Sequence, residues 1–207
     1  RCQCSARNRA TVIPPGSTGP SFTARPAEGA DLRVMEIRLE SVDLSGTTML
    51  KVGNPAPAFS LPDATMEMMD LSRFKGKKNV VLYFYPKDGT PGCTIQAVDF
   101  SDREDEFSRL DTVVFGISRD DVISHAAFRD EQGLSVQLLA DTESEVCRLY
   151  DVLEKRVVDG HAREAVQRST FLIDKKGILR HILRDVNPRD HADEVLKAVK
   201  AMNGRAD

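Results

Sequence analysis

From Val52 onward, short apolar runs alternate with segments whose apolar positions recur every three or four residues. Asn79 to Tyr85 is a continuous β-branched and aromatic run that stops at Pro86, the pattern of a strand buried on both faces. Ala97, Phe100, Phe107 and Leu110 follow at spacings of 3, 7 and 3 around a wholly polar stretch from Ser101 to Glu106, which predicts a helix with one buried face. Thr112 to Ser118 reads as a second buried strand. Val122 to Gln132 reads as a helix stopped by Gly133, and Val136 to Leu139 as a short strand. Thr142-Glu143-Ser144-Glu145 has the capping-box spacing of a helix start, with Val146, Leu149 and Tyr150 on one side of the helix it opens. Ser169 to Ile173 and Ile178 to Leu183 are strands whose connection, Asp174 to Gly177, is short enough for an antiparallel hairpin. A last helix follows Asn187-Pro188, carries Ala192, Val195, Leu196, Val199 and Met202 on one face, and ends at Asn203-Gly204. Alternating strands and helices closed by a hairpin and a helix predict an α/β fold: a mixed central sheet with helices on both faces.

An early hairpin is expected around Asp63-Ala64-Thr65-Met66-Glu67, with a loose or shifted turn, and Met66, Met68 and Met69 are expected to pack on the domain by alternation. Residues 1–48 have a different composition: no Lys, six Arg, and four of the ten Pro, without apolar periodicity. The first 30 residues, Arg-rich and acid-poor, have the look of a transit peptide but no amphipathic stripe, and the chain opens on Arg. The expectation is a disordered or artefactual extension over 1–48, with Met35 or Met49 as the true start, and one folded domain over 49–207.

Charge narrows the partners. Lys and Arg total 29 against 32 Asp and Glu, a formal net charge of -3, which gives no general grip on nucleic acid or anionic lipid. The longest apolar run, Val80 to Tyr85, is far short of a membrane span. Four cysteines, Cys2, Cys4, Cys93 and Cys147, are too few for a disulfide framework and favour a reducing, cytoplasmic setting. Cys2 and Cys4 have no neighbouring ligands to complete a zinc site, and His125, His161, His181 and His191 show no metal spacing, so no metal is expected and the histidines read as surface or structural.

The chemistry concentrates in Tyr83-Phe84-Tyr85-Pro86-Lys87-Asp88-Gly89-Thr90-Pro91-Gly92-Cys93-Thr94. A buried strand runs out, a Pro and Gly loop turns the chain, and Cys93 arrives at the start of a helix. There the orphan N–H groups and the positive end of the dipole favour an anion, and a thiol so placed can be lowered from about 8.5 to roughly 3.5–7.5. Thr90 can offer its hydroxyl to a substrate oxygen beside the sulfur, and Pro86, which lacks an N–H, can form an apolar wall against water. A cation is missing from this local picture, and periodicity does not choose one among the arginines.

The spacing P-x-x-x-T-x-x-C of Pro86, Thr90 and Cys93 resembles the active-site motif of the peroxiredoxins, and Tyr85-Pro86-Lys87-Asp88 with Thr90-Pro91-Gly92-Cys93-Thr94 is similar to their bacterioferritin comigratory branch. The resemblance extends over about residues 50–203, through Val52-Gly53, Leu61-Pro62-Asp63, Val114 to Ser118, Leu139-Ala140-Asp141, Arg168 to Asp174 and Gly177. It implies a thioredoxin-like fold and a thiol peroxidase acting without metal, haem or flavin. In it Cys93 is the peroxidatic cysteine, Thr90 positions peroxide, Pro86 shields, and Arg168 holds thiolate and peroxide together. Monomeric state and reduction by thioredoxin, glutaredoxin or a small thiol are further implications.

Many members of that branch carry a resolving cysteine where this chain has Val98, or, in a second subgroup, where it has Arg129. An external thiol attacking Cys93 directly is therefore expected. Cys147 is a weak resolving candidate that reads better as a buried free thiol, and Cys2 or Cys4 could reach Cys93 only on a long tail. Two other classes compete: a redox sensor or holdase switched by Cys93 oxidation, and a thiol-disulfide reductase, which usually needs two nearby cysteines.

Overall fold

Asn79–Phe84 lacks polar alternation because it runs through the middle of a sheet, and all six of its residues are buried. In the computed structural model, which describes residues 50–158 and 161–204, the elements run β1 (Ser60–Pro62), β2 (Met68–Asp70), a 3-10 turn (Leu71–Phe74), β3 (Asn79–Phe84), α1 (Pro91–Asp102), α2 (Glu104–Arg109), β4 (Thr112–Ser118), α3 (Val122–Gln132), β5 (Gln137–Ala140), α4 (Glu145–Leu149), β6 (Leu153–Val158), β7 (His161–Val166), β8 (Ser169–Ile173), β9 (Leu179–Leu183) and α5 (His191–Asn203). The expectation for residues 1–48 lies outside the described residues.

Five strands form the central sheet in the order β5-β4-β3-β8-β9. β3 is parallel to β4, and β4 to β5, whereas β8 runs antiparallel to both β3 and β9. The expected mixed sheet is therefore present. Alternate residues of β3 feed two cores: Val81, Tyr83 and then Tyr85 pack with Phe100 of α1, Phe107 of α2, Phe128 of α3 and Val195 of α5, while Val80, Leu82 and Phe84 pack with Val146 of α4, Tyr150 and Phe171. Helices thus cover both faces. Tyr83 lies across β4 where a Cβ on Gly116 would come 2.6 Å from its ring, so the close approach of this ring requires glycine there.

Several expectations need correcting. The helix expected to carry Ala97 through Leu110 is two, α1 and α2, broken at Arg103, whose backbone (φ −106°, ψ 8°) leaves helical geometry while its guanidinium pairs with Asp99 at 3.0 Å and with Asp193 of α5 at 2.6 Å. The capping box is not formed. Ser144 precedes α4 in the left-handed region (φ 58°) without a side-chain cap bond, and the buried Asp141 carboxylate accepts the N–H groups of Val146 (3.2 Å) and Cys147 (2.7 Å) instead. Leu149 is half exposed rather than aligned with Val146 and Tyr150. The β1–β2 turn is closed rather than loose: Asp63 Oδ1 accepts from Thr65 N–H, the Thr65 hydroxyl and Glu67 N–H, at 2.7, 2.6 and 3.0 Å. Of the three methionines only Met69 packs on the core, Met66 and Met68 being 72% and 54% exposed. The β6–β7 hairpin is an addition; its signal was the Asp159-Gly160 dipeptide between two strand-like runs.

Candidate active site

The antiparallel placement of β8 is what assembles the site. β3 delivers the chain to the loop before α1 at its C-terminal end, and the register Phe84↔Ser169 sets the first residue of β8 beside that same end. Arg168, immediately before β8, is thereby brought to Cys93 although 75 residues separate them. Its backbone is steadied from both sides, since Gln167 N–H donates to the Val152 carbonyl (2.7 Å) and the Arg168 carbonyl accepts from Val186 N–H (3.1 Å).

Cys93 is the third residue of α1 and is 1% exposed. Pro91 opens the helix, where its missing N–H costs nothing, and Thr90 is the extended N-cap residue. Arg168 Nη2 lies 3.4 Å from Cys93 Sγ, and Nη1 donates to Gln96 Oε1 at 2.5 Å. One guanidinium thus spans the sulfur and a side chain one helical turn further along α1. Together with the first-turn N–H groups it surrounds the sulfur with positive potential. The Thr90 hydroxyl donates to the Lys87 carbonyl (3.2 Å) and makes no cap bond, which leaves its oxygen lone pairs unused by the protein. Pro86 is exposed, at the outer side of the loop.

Sequence reasoning missed three neighbours. Gln96 is fully buried and aims Arg168; the signal was an amide three residues after Cys93 on a face continued by Ala97 and Phe100. Pro188 closes on the first turn, 3.4 Å from where a Cβ of Gly92 would stand, with Arg168 Nη2 at 3.5 Å from the same point. Tyr83 stacks on Phe100 with centroids 4.7 Å apart, and burial above all, then the charge of Asp88, pushes its phenol well above the usual range. It is a neutral wall, not an acid.

Val98 is partly buried against the same core, and Arg129, in the last turn of α3, pairs with Asp130 at 2.8 Å. Cys147 is buried in the core on the opposite face of the sheet from Cys93, and burial, then the neighbouring Asp141 carboxylate, pushes its thiol up. Neither Cys93 nor Cys147 is in a disulfide. His125 and His191 are fully buried and structural: His125 Nδ1 lies 2.8 Å from Asp88 Oδ2, and His191 Nε2 lies 2.9 Å from the Thr170 hydroxyl. Among the described residues no three His, Cys, Asp or Glu side chains cluster as metal ligands, and no helix is long and apolar enough to cross a membrane.

The sequence pattern of the AhpC/TSA family matches residues 52–182. The chain is 40% identical over 154 residues to peroxiredoxin Bcp of Bacillus subtilis, covering 74% of this chain and 98% of that one. The chain belongs to the AhpC/TSA family and is a peroxiredoxin. Peroxiredoxin Bcp of Escherichia coli is 38% identical over 151 residues, 73% of this chain and 96% of its own. Among solved structures, the bacterioferritin comigratory protein of Xanthomonas campestris superposes with a TM-score of 0.67 at 35% identity, covering 70% of this chain and 92% of that one. A mutant of Xylella fastidiosa PrxQ gives 0.70 at 30% identity, with 75% and 98% covered. The peroxiredoxin therefore has the thioredoxin-like fold of the Bcp/PrxQ branch, and with it peroxidase activity.

Proposed function

We propose that this peroxiredoxin, through a domain spanning residues 49–207, reduces hydrogen peroxide and organic hydroperoxides to water and alcohols. A sulfenic acid forms on Cys93, and an external thiol such as thioredoxin, glutaredoxin or a small thiol regenerates it. The observation that carries the site assignment is the 3.4 Å approach of the Arg168 guanidinium to a buried sulfur in the first turn of α1. In the step itself the Cys93 thiolate attacks one peroxide oxygen in line with the O–O bond. An S–O bond forms, the O–O bond breaks, and the leaving alkoxide or hydroxide takes up a proton. Arg168, the Thr90 hydroxyl and first-turn N–H groups stabilise the charge that develops on that oxygen. Pro86, on the exposed side of the loop, limits water at the rim. Organic peroxides are included because the related Xanthomonas protein is described by its alkyl peroxide reduction activity.

Two observations support an external reductant: residues other than cysteine occupy positions 98 and 129, and Cys147 lies across the sheet. The reading also places a monomeric enzyme in the reducing cytoplasm. Steady-state peroxide consumption with thioredoxin and its reductase tests it; turnover that survives Cys147→Ser and disappears in Cys93→Ser is the expected result. Among the described residues no second thiol lies near Cys93, which favours one alternative, a redox sensor or holdase that predicts stoichiometric oxidation without sustained consumption.

A further inference from the structure

The strands that assemble the Cys93 site at one end of the sheet frame a cavity at the other. β3 starts at Asn79, on the cavity wall, and ends at Phe84, so its length holds the two places roughly 20 Å apart. The cavity measures about 740 Å³, the size of a small-molecule site. Four cations line it, Arg109, Lys175, Lys176 and Arg180, against two carboxylates, Asp111 and Asp174. Both carboxylates are taken: Lys175 Nζ lies 2.9 Å from Asp111 Oδ2, and Arg180 Nη2 lies 2.7 Å from Asp174 Oδ2. Arg109 and Lys176 have no ion-pair partner among the described residues. Positive charge is thus in excess here, in a chain whose formal net charge is -3. Arg109, in the last turn of α2, answers the dipole of that helix, but Lys175, Lys176 and Arg180 belong to the β8–β9 hairpin.

The walls are fixed before any ligand arrives. Buried Asn79 donates from Nδ2 to Asn203 Oδ1 (2.9 Å) and accepts the Lys175 N–H on Oδ1 (3.1 Å), while Asn203 Nδ2 donates to the Leu110 carbonyl (3.0 Å). These bonds tie the start of β3, the α2–β4 turn, the β8–β9 turn and the end of α5 around one space. Asp174 Oδ1 accepts the N–H groups of Lys176 (2.8 Å) and Ile178 (2.9 Å), which holds the Lys176 backbone on a closed turn. Half-buried Leu110 and Met202 supply apolar wall to the same cavity.

We propose that this cavity binds an organic phosphate of mononucleotide size, its phosphate oxygens on Arg109 and Lys176 and its apolar or aromatic body on Leu110 and Met202. A guanidinium forks onto two phosphate oxygens and an ammonium adds a point charge, so a group with two or more negative charges is matched. The site is separate from Cys93 and does not depend on the peroxidase reading.

The test titrates the full chain by calorimetry with adenosine triphosphate, and in parallel with inorganic tripolyphosphate and with adenosine. Adenosine triphosphate should saturate one site with a dissociation constant below about 1 mM and shift amide resonances at residues 109–111 and 174–181. Both other probes should bind more weakly, because each lacks one half of the match. Replacing Arg109→Ala together with Lys176→Ala should weaken binding about tenfold or more, yet leave the rate of Cys93 oxidation by hydrogen peroxide within about twofold. If that double variant fails to fold, Lys176→Glu, on an exposed turn, carries the same expectation. Failure of adenosine triphosphate to saturate, affinity undiminished by the substitutions, or amide shifts centred on Cys93 would overturn the site. Tripolyphosphate or adenosine binding as tightly as the triphosphate would overturn the assigned ligand class.

Discussion

In the proposed mechanism, removing the Arg168 guanidinium, which lies 3.4 Å from Cys93 Sγ, strips the developing oxyanion of its main cation. Arg168→Met should therefore slow Cys93 oxidation by about 10²–10³-fold, the usual cost of losing one preorganised charge-stabilising donor. Arg168→Lys should recover little, because a point charge cannot reach Cys93 Sγ and Gln96 Oε1 together as the two guanidinium nitrogens do. Stopped-flow peroxide kinetics measures both. Cys147→Ser belongs to the same scale with the opposite expectation: turnover is kept, while a hydroxyl in an apolar core costs roughly 1–3 kcal/mol in denaturant titration. Loss of turnover with stability intact would make Cys147 a participant. Legibility at this scale was uneven. Cys93 and Thr90 announced themselves by a motif within one loop, whereas Arg168 and Gln96 owe their roles to the β3–β8 register, which no local spacing encodes. The family resemblance supplied Arg168, whereas Gln96 had only its place one turn after Cys93 on the buried face of α1.

The elements that were easy to read are those whose signals are local. β4 and α3 have the bounds their patterns predict, and α3 stops at Gly133 in the left-handed region (φ 63°), where glycine pays no steric penalty. Errors arose where a distant group decided the outcome. Arg103 interrupts a helix whose apolar spacing would have run on, and it is bonded to α5, 90 residues away. Asp141, buried after β5, caps α4 in place of the box at Thr142. Asp141→Ala should accordingly cost about 1–2 kcal/mol, in the range of lost helix caps, and Thr142→Ala close to nothing. Chemical denaturation of the two variants distinguishes the caps, and a larger loss from Thr142→Ala would contradict the assignment.

At the scale of the whole molecule, the helical layer on the Cys93 face is locked to the sheet partly through His191, the first residue of α5, whose ring meets Thr170 of β8 and stands edge-on to Phe100 of α1. Burial lowers its pKa most, and the positive charge of Arg168 lowers it further, against the opposing pull of Glu194 and Asp99. The folded protein therefore holds fewer protons at this site than the unfolded chain once pH falls through the unfolded value of about 6.5. Stability should decline as pH drops from 7 toward 5, and His191→Gln, which cannot charge, should flatten that decline. Urea midpoints across this window, compared between wild type and variant, check the sign; a variant that loses stability as steeply would contradict it.

In the proposed cycle peroxide oxidises one buried sulfur and an outside thiol restores it. The most direct measurement is intact and peptide mass spectrometry of the wild-type protein after one equivalent of hydrogen peroxide, with a sulfenic-acid trap present. A single adduct mapped to Cys93, absent when thioredoxin and its reductase are included, is the predicted result. A disulfide joining Cys93 to Cys147, or oxidation that spares Cys93, would contradict it.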